Sequence, residues 1–150
     1  MSPLTSDETG ARAPLVVLAD CLSGVHAVEL LADGSEELDA RPGATMPSRA
    51  RDRSLAPSWA RSMLVDLDVS GSTVVLLLQR RPPVLASYDG GASWRERAGG
   101  VPAGVAIALG DNPDHVVVAT ESRLYVSLDG GQFWHSLETE LAGITDVCWE

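Results

Sequence analysis

Short apolar runs, broken every few residues by Gly, Asp, Asn or Pro, fill most of the chain. In the C-terminal third they fall at 105–109, 115–120, 124–127 and 133–137, with Gly110-Asp111-Asn112-Pro113-Asp114 as the turn between the first two. Runs this short, rich in Val and Leu and bounded by turn residues, predict strands. The same succession stands at 63–69, 73–79, 84–87 and 93–97. Near the N-terminus only three such runs occur, at 15–19, 25–30 and 37–40, with nothing ahead of Leu15 to serve as a fourth. At the other end 144–149 has the pattern of a first strand without companions. The two incomplete ends are complementary.

Between the third and fourth runs of each complete group lies the same motif. Ser87-Tyr88-Asp89-Gly90-Gly91-Ala92-Ser93-Trp94 recurs forty positions later as Ser127-Leu128-Asp129-Gly130-Gly131-Gln132-Phe133-Trp134. Asp-Gly and Gly-Gly supply the positive φ angles of a tight turn, and the Asp carboxylate and Ser hydroxyl can bond to backbone amides of that turn. Five residues after the Asp, the Trp offers a large ring to bury between neighbouring units. Four short strands repeating about every forty residues predict the blades of a β-propeller, an all-β array. The motif resembles the Asp-box, or bacterial neuraminidase repeat, of sialidases, sortilin-type receptors, some endoglucanases and photosystem II assembly factors. In those families the box sits on the propeller rim, away from the ligand site. The resemblance therefore implies a fold, with structural roles for Ser87, Asp89, Gly91, Trp94, Ser127, Asp129, Gly131 and Trp134, and no catalytic residue.

A worn third copy precedes these two. Leu31-Ala32-Asp33-Gly34-Ser35-Glu36-Glu37-Leu38 keeps Asp-Gly and places Leu38 where the others have Trp. Its surplus distance from Asp89 is taken up by residues 41–61, a Pro, Ser, Ala and Arg-rich insert without strand alternation. Residues 1–13 read as a disordered tail and 14–150 as about three four-stranded blades. Propellers typically close with four to eight blades. An open array would leave apolar faces and strand edges in water. The expected remedy is a homodimer, a six-bladed ring in which each chain's last strand completes the other's first blade, or completion by sequence beyond this chain.

Composition narrows the function classes. The formal net charge of −10 disfavours nucleic acid and anionic membranes as partners. No apolar run approaches a membrane span, and the acidic start lacks the plan of a signal peptide, so the expected location is cytoplasmic. Cys21 and Cys148 fit no metal or redox spacing and are expected to be free thiols; His26, His115 and His135 are scattered, and neither a metal nor a cofactor is expected.

All eleven basic residues are Arg, and Arg41, Arg49, Arg51, Arg53 and Arg61 fall in the insert. In a propeller the loop leading to the next blade opens on the same face as the loop between second and third strands, which here carries Arg80-Arg81. Arg49, Arg51, Arg53, Arg80 and Arg81 are thus candidates for binding a carboxylate or phosphate, since the guanidinium fork suits both; the other reading is a solvated loop. A sialidase would need an arginine triad, a Tyr–Glu pair and an acid, and the Arg-Ile-Pro string of that family is absent; Arg81-Pro82-Pro83 does not match it. Tyr88 and Tyr125 lie in packing positions, and Asp20, Glu121, Glu138 and Glu140 are acids that any acidic propeller would offer. The expected function is a noncatalytic binding or scaffold protein whose loop face takes a partner protein or a small anionic ligand. The alternative is a fragment or degenerate relative of a sialidase-like glycoside hydrolase.

Overall fold

The computed structural model describes residues 14–32, 36–49 and 51–150. Its strands form three four-stranded antiparallel sheets, the blades of the predicted all-β array. Blade II holds β4 (Leu64–Ser70), β5 (Thr73–Leu78), β6 (Val84–Ser87) and β7 (Arg95–Arg97). Blade III holds β8 (Ala106–Leu109), β9 (Val116–Ala119), β10 (Arg123–Ser127) and β11 (His135–Glu140). Blade I is made of β1 (Leu15–Cys21), β2 (Gly24–Leu30) and β3 (Glu37–Pro42), with β12 (Asp146–Trp149) as its fourth and innermost strand. The predicted runs coincide with these strands to within a few residues.

β12 lies antiparallel to β1 of its own chain, pairing Leu18 with Cys148 and Asp20 with Asp146. The exchange of this strand with a second copy, expected from the sequence, is therefore not what completes blade I. Five residues link β11 to β12, and a tether that short delivers the strand to β1 without the entropy cost of joining two molecules.

Blade III stands between the other two. One apolar cluster joins Val75, Leu77, Val84 and Ala86 of blade II to Ile107, Leu109, Val116 and Val118 of blade III. The opposite face of blade III, with Ala106, Ala108, Val117, Ala119, Leu124 and Val126, packs against blade I. That alternation follows from period-two side-chain direction in strands buried on both sides, which is why β9 is apolar throughout and β5 is apolar after Thr73. Blades I and II each keep one face that no blade covers.

Both faces are covered by the segment that follows β3. It is not a solvated loop, and it runs from 43 to 63, because Arg41 and Pro42 still belong to β3. Its first part pairs Ala44 N–H with Val25 O and sets Met46 Sδ 3.3 Å from Cys148 Sγ, on the blade I face shared by Leu18, Ala27 and Cys148. Its second part forms short 3-10 helices at Arg53–Leu55 and Ser58–Met63; the buried Ala56 between them and Ala60 of the second lie against Leu67, Leu76 and Leu85 on the free face of blade II. Asp52 caps the first helix through Ser54 N–H, and Arg61 ties the second back to the carbonyls of Ala56 and Ser54. The segment acts as a strap that stands where a neighbouring blade would.

Candidate functional site

Three places concentrate polar chemistry: the two Ser-x-Asp-Gly-Gly boxes, the inner strands beneath the strap, and the loop face between blades II and III.

In each box the Ser hydroxyl donates to the Asp carboxylate, 2.7 Å at Ser87–Asp89 and 2.8 Å at Ser127–Asp129, and accepts from the N–H of the second glycine. The carboxylates also accept Ser93 N–H in the first box, and Gln132 and Phe133 N–H in the second. Gly91 and Gly131 have φ of +98° and +93°, where an L side chain is strained. Hydrogen bonds from Ser93, through hydroxyl and amide, and from Ser87 pull the Asp89 carboxyl down to about 2. For Asp129 burial works upward, but the bonds from Phe133, Ser127 and Gln132 outweigh it and the net direction is down. Both carboxylates are saturated by their own turns, so the boxes have no free group for a ligand. The Trp rings are half-buried, Trp134 against the blade II–III cluster with its indole N–H on Gly131 O at 2.8 Å, and Trp94 against the blade II face under the strap. Tyr88 joins the boxes by donating its hydroxyl to Gly130 O at 2.8 Å. In the worn copy Asp33, Gly34 and Ser35 lie outside the described residues, and Leu38, set in the place of the Trp, is 50% exposed and packs no core.

Beneath the strap, Arg49 and Arg51 meet anions that belong to the chain. Arg49 bonds Asp68 at 2.6 Å and Asp146 at 3.2 Å, and reaches Ile107 O. Arg51 bonds Asp146 at 2.7 Å, and its Nε lies 2.6 Å from Asp66 in a charge contact too bent for a hydrogen bond. Three inner strands, β12, β8 and β4, are thereby gathered on two guanidinium groups. Asp66 and Asp68 in turn accept the N–H groups of Ile107 and Leu109, at 2.9 and 2.8 Å. Burial pushes the Asp66 carboxyl up, against the pull of those bonds and of the arginines. Arg49 and Arg51, candidate ligand residues by sequence, are here structural: an exposed anion would have to displace partly buried aspartates.

The remaining candidates lie elsewhere. Arg53 donates to Leu64 O at 3.1 Å. Arg80 pairs with Glu96 at 3.1 Å and stacks on Trp59 with 5.6 Å to the ring centroid. Arg81 is exposed, with a marginal 3.5 Å contact to Gly99 O. Arg80 and Arg81 share a cleft of about 380 Å³ with Leu78, Pro83, Val101, Ala103 and Gly104, formed where the β5–β6 loop of blade II meets the chain leading into blade III. Gly104 has no room for a side chain, because a Cβ there would come within 2.9 Å of Val118 and 3.1 Å of Leu77. Apart from the insert, then, the pair Arg80-Arg81 lies on the loop face as its sequence position implies. The signal missed by sequence reading is Gly104, which borders the cleft, sets its backbone close against the buried Leu77 and Val118, and carries no motif.

The acids do not assemble into a facing pair on that cleft. Glu140 pairs with Arg123, Asp146 lies opposite Asp20 across the β12–β1 pairing and holds the arginines, and Glu138 lines a separate groove with Glu36 and Glu37 between the outer strands of blades I and III. His26 is within 3.5 Å of Cys21 Sγ, while His115 packs beside Trp149. Cys21 and Cys148 are free. Among the described residues no helix is long and apolar enough to cross a membrane.

No family model and no curated protein matches the chain. Two solved structures are similar over most of it. YCF48 bound to D1 peptide is 17% identical with a TM-score of 0.47, over 88% of this chain and 39% of that one. The GH74 enzyme of Niastella koreensis is 20% identical with a TM-score of 0.41, over 82% of this chain and 18% of that one. The chain thus spans less than half the length of either.

Proposed function

We propose that the chain is an Asp-box propeller unit that serves as a noncatalytic binding or scaffold module, taking a carboxylate- or phosphate-bearing partner on its loop face between blades II and III. The observation that carries this reading is one opening that combines an apolar floor, Leu78, Pro83, Val101 and Ala103, with the guanidinium groups of Arg80 and Arg81. Such a combination suits a partner segment with one acidic group beside an apolar side chain: the floor supplies desolvation, and the planar fork supplies direction. Arg81, exposed and weakly held, is the group free to turn onto an anion. The two free thiols suit a reducing compartment such as the cytoplasm.

The test is a titration, followed by NMR, with a short acetylated and amidated peptide carrying one Asp between leucines, against its Asn analogue. The Asp peptide is expected to move the Arg80 and Arg81 Nε–H signals and the Val101 and Gly104 amides. Replacing Asp by Asn, or Arg81 by Ala, should weaken binding about tenfold or more, as befits a charge-assisted bond. Equal response to both peptides, or none to either, overturns the reading.

A further inference from the structure

The two faces beneath the strap are the two sides of one gap, and they are not alike. In the contact between blades II and III, blade II offers the carboxylates of Asp66 and Asp68, and blade III answers with the amides of its inner strand, Ile107 N–H and Leu109 N–H. Blade I carries Asp146 on its inner strand, on the face that points away from blade III, since Asp146 and Cys148 share a face and Cys148 is on the strap side. Asp146 therefore stands ready for the next blade in the order II, III, I. Among the described residues no next blade follows. Its place is taken by Arg49 and Arg51, whose N–H groups bond Asp146 as a neighbouring inner strand would. At the other side of the gap, Leu67, Leu76 and Leu85 of blade II offer an apolar face that the strap covers with Ala56, Ala60 and the partly buried Met63.

We propose that the strap is a removable stand-in for a blade, and that its displacement exposes a self-association surface whose partner is a second copy of this chain. Blade I of one copy would then receive blade II of the other, and the reverse, so that two chains close a six-bladed ring through two equivalent contacts. The occupant is identified by the contact already present in the molecule: the Asp-bearing face of one blade against the apolar face of the next is how II meets III. Closed by its strap, the chain satisfies both faces alone. Two-fold symmetry supplies both missing neighbours at once, which a single foreign partner would have to match on two dissimilar faces.

The experiment compares the unchanged chain with Arg49→Ala/Arg51→Ala, which loses the strap's charge anchors, by light scattering over a range of concentrations. A parallel variant, Ala60→Glu, lifts the strap from blade II while leaving the arginines intact, and decides the matter if the double variant fails to fold. The unchanged chain is expected at 15.8 kDa with residues 43–63 resistant to proteolysis. A released variant is expected at twice that mass, with faster cleavage in 43–63. Adding a synthetic peptide of residues 43–63 should return the variant to single mass. The proposal is overturned by a variant whose strap is cleaved readily while its mass stays single, by a dimer that the peptide does not disperse, by open-ended aggregation, or by an unchanged chain that is dimeric with its strap protected.

Discussion

Asp89 and Asp66 are both hydrogen-bonded carboxylates, and the balance between burial and donors sends them in opposite directions. Asp89 is exposed and well supplied with donors, so its carboxyl falls to about 2. Its folded value lies below the unfolded value of about 3.9, so the stabilisation it lends is complete above the unfolded value and is lost as pH falls toward 2. NMR titration of the Asp89 side-chain carbon should show that low midpoint, and Ser93→Ala should raise it; an ordinary midpoint in the unchanged chain would mean the turn is not formed. Asp66 is buried, and its raised carboxyl gives the folded state the tighter hold on a proton. Its contribution therefore grows as pH drops from neutral through the folded value, is fully present below the unfolded one, and is lost as pH rises through the folded value. The aromatic residues are tempered by burial in the same way. Full burial would make Trp→Ala cost about 3–5 kcal/mol, but Trp94 and Trp134 are only partly covered. Each replacement is expected to cost about 2 kcal/mol in urea unfolding, Trp134 the more because its indole bond to Gly131 goes too. Gly104→Ala should cost about 1–3 kcal/mol by overpacking against Leu77 and Val118; unchanged stability would show that the packing between blades II and III yields freely there.

Strands were the legible elements, because a half-buried or fully buried strand writes its pattern locally. Gly90-Gly91 and Gly130-Gly131 fixed the hairpin turns for the same reason. The strap was illegible. Its anchors are the buried Ala56 and Ala60 and the partly buried Met46, in a stretch dominated by Pro, Ser and Arg with no period to detect, and its arginines bond aspartates as far away as Asp146. The loop-face arginines were half legible: Arg80-Arg81 followed from blade topology, while the cleft beside them depends on how two blades pack. The thiols expected to be free are kept apart by the register, which sets Cys148 beside Leu18. Cys21 is three residues beyond Leu18, so it points to the opposite face, about 10 Å along the strand. Distance and direction both forbid a disulfide. Thiol titration of the unfolded, nonreduced chain should find two reactive groups. In the native chain Cys148, buried and with its thiol pushed up by that burial, should react far more slowly than in the unfolded one. A Cys21–Cys148 peptide in mass spectrometry would break the β1–β12 register.

At the scale of the whole molecule, two electrostatic effects oppose each other. The strap is held by Arg49 and Arg51 on Asp66, Asp68 and Asp146, attractions that salt weakens. The chain as a whole carries a net charge of −10, a self-repulsion that salt relieves. The decisive quantity is exposure. Arg49 and Arg51 keep only 15% and 25% of their side-chain surface in contact with water, so their pairs are short-ranged, partly desolvated and little affected by added ions, whereas repulsion among exposed carboxylates acts over distances comparable to the screening length of about 10 Å at 0.1 M salt. Relief of repulsion should therefore win. Raising sodium chloride from about 20 mM to about 0.5 M, which shortens that screening length severalfold, is expected to raise the melting temperature by roughly 2–4 °C, equivalent to about 1 kcal/mol for a chain of this size. Arg51→Ala should steepen the rise, because it removes a cation from a cluster that already holds three aspartates and leaves Asp66 and Asp146 less compensated. A melting temperature that falls with salt would mean that the strap's ion pairs are more exposed than their geometry indicates, and that the chain's closure depends on charge more than on the apolar contacts of Met46, Ala56 and Ala60.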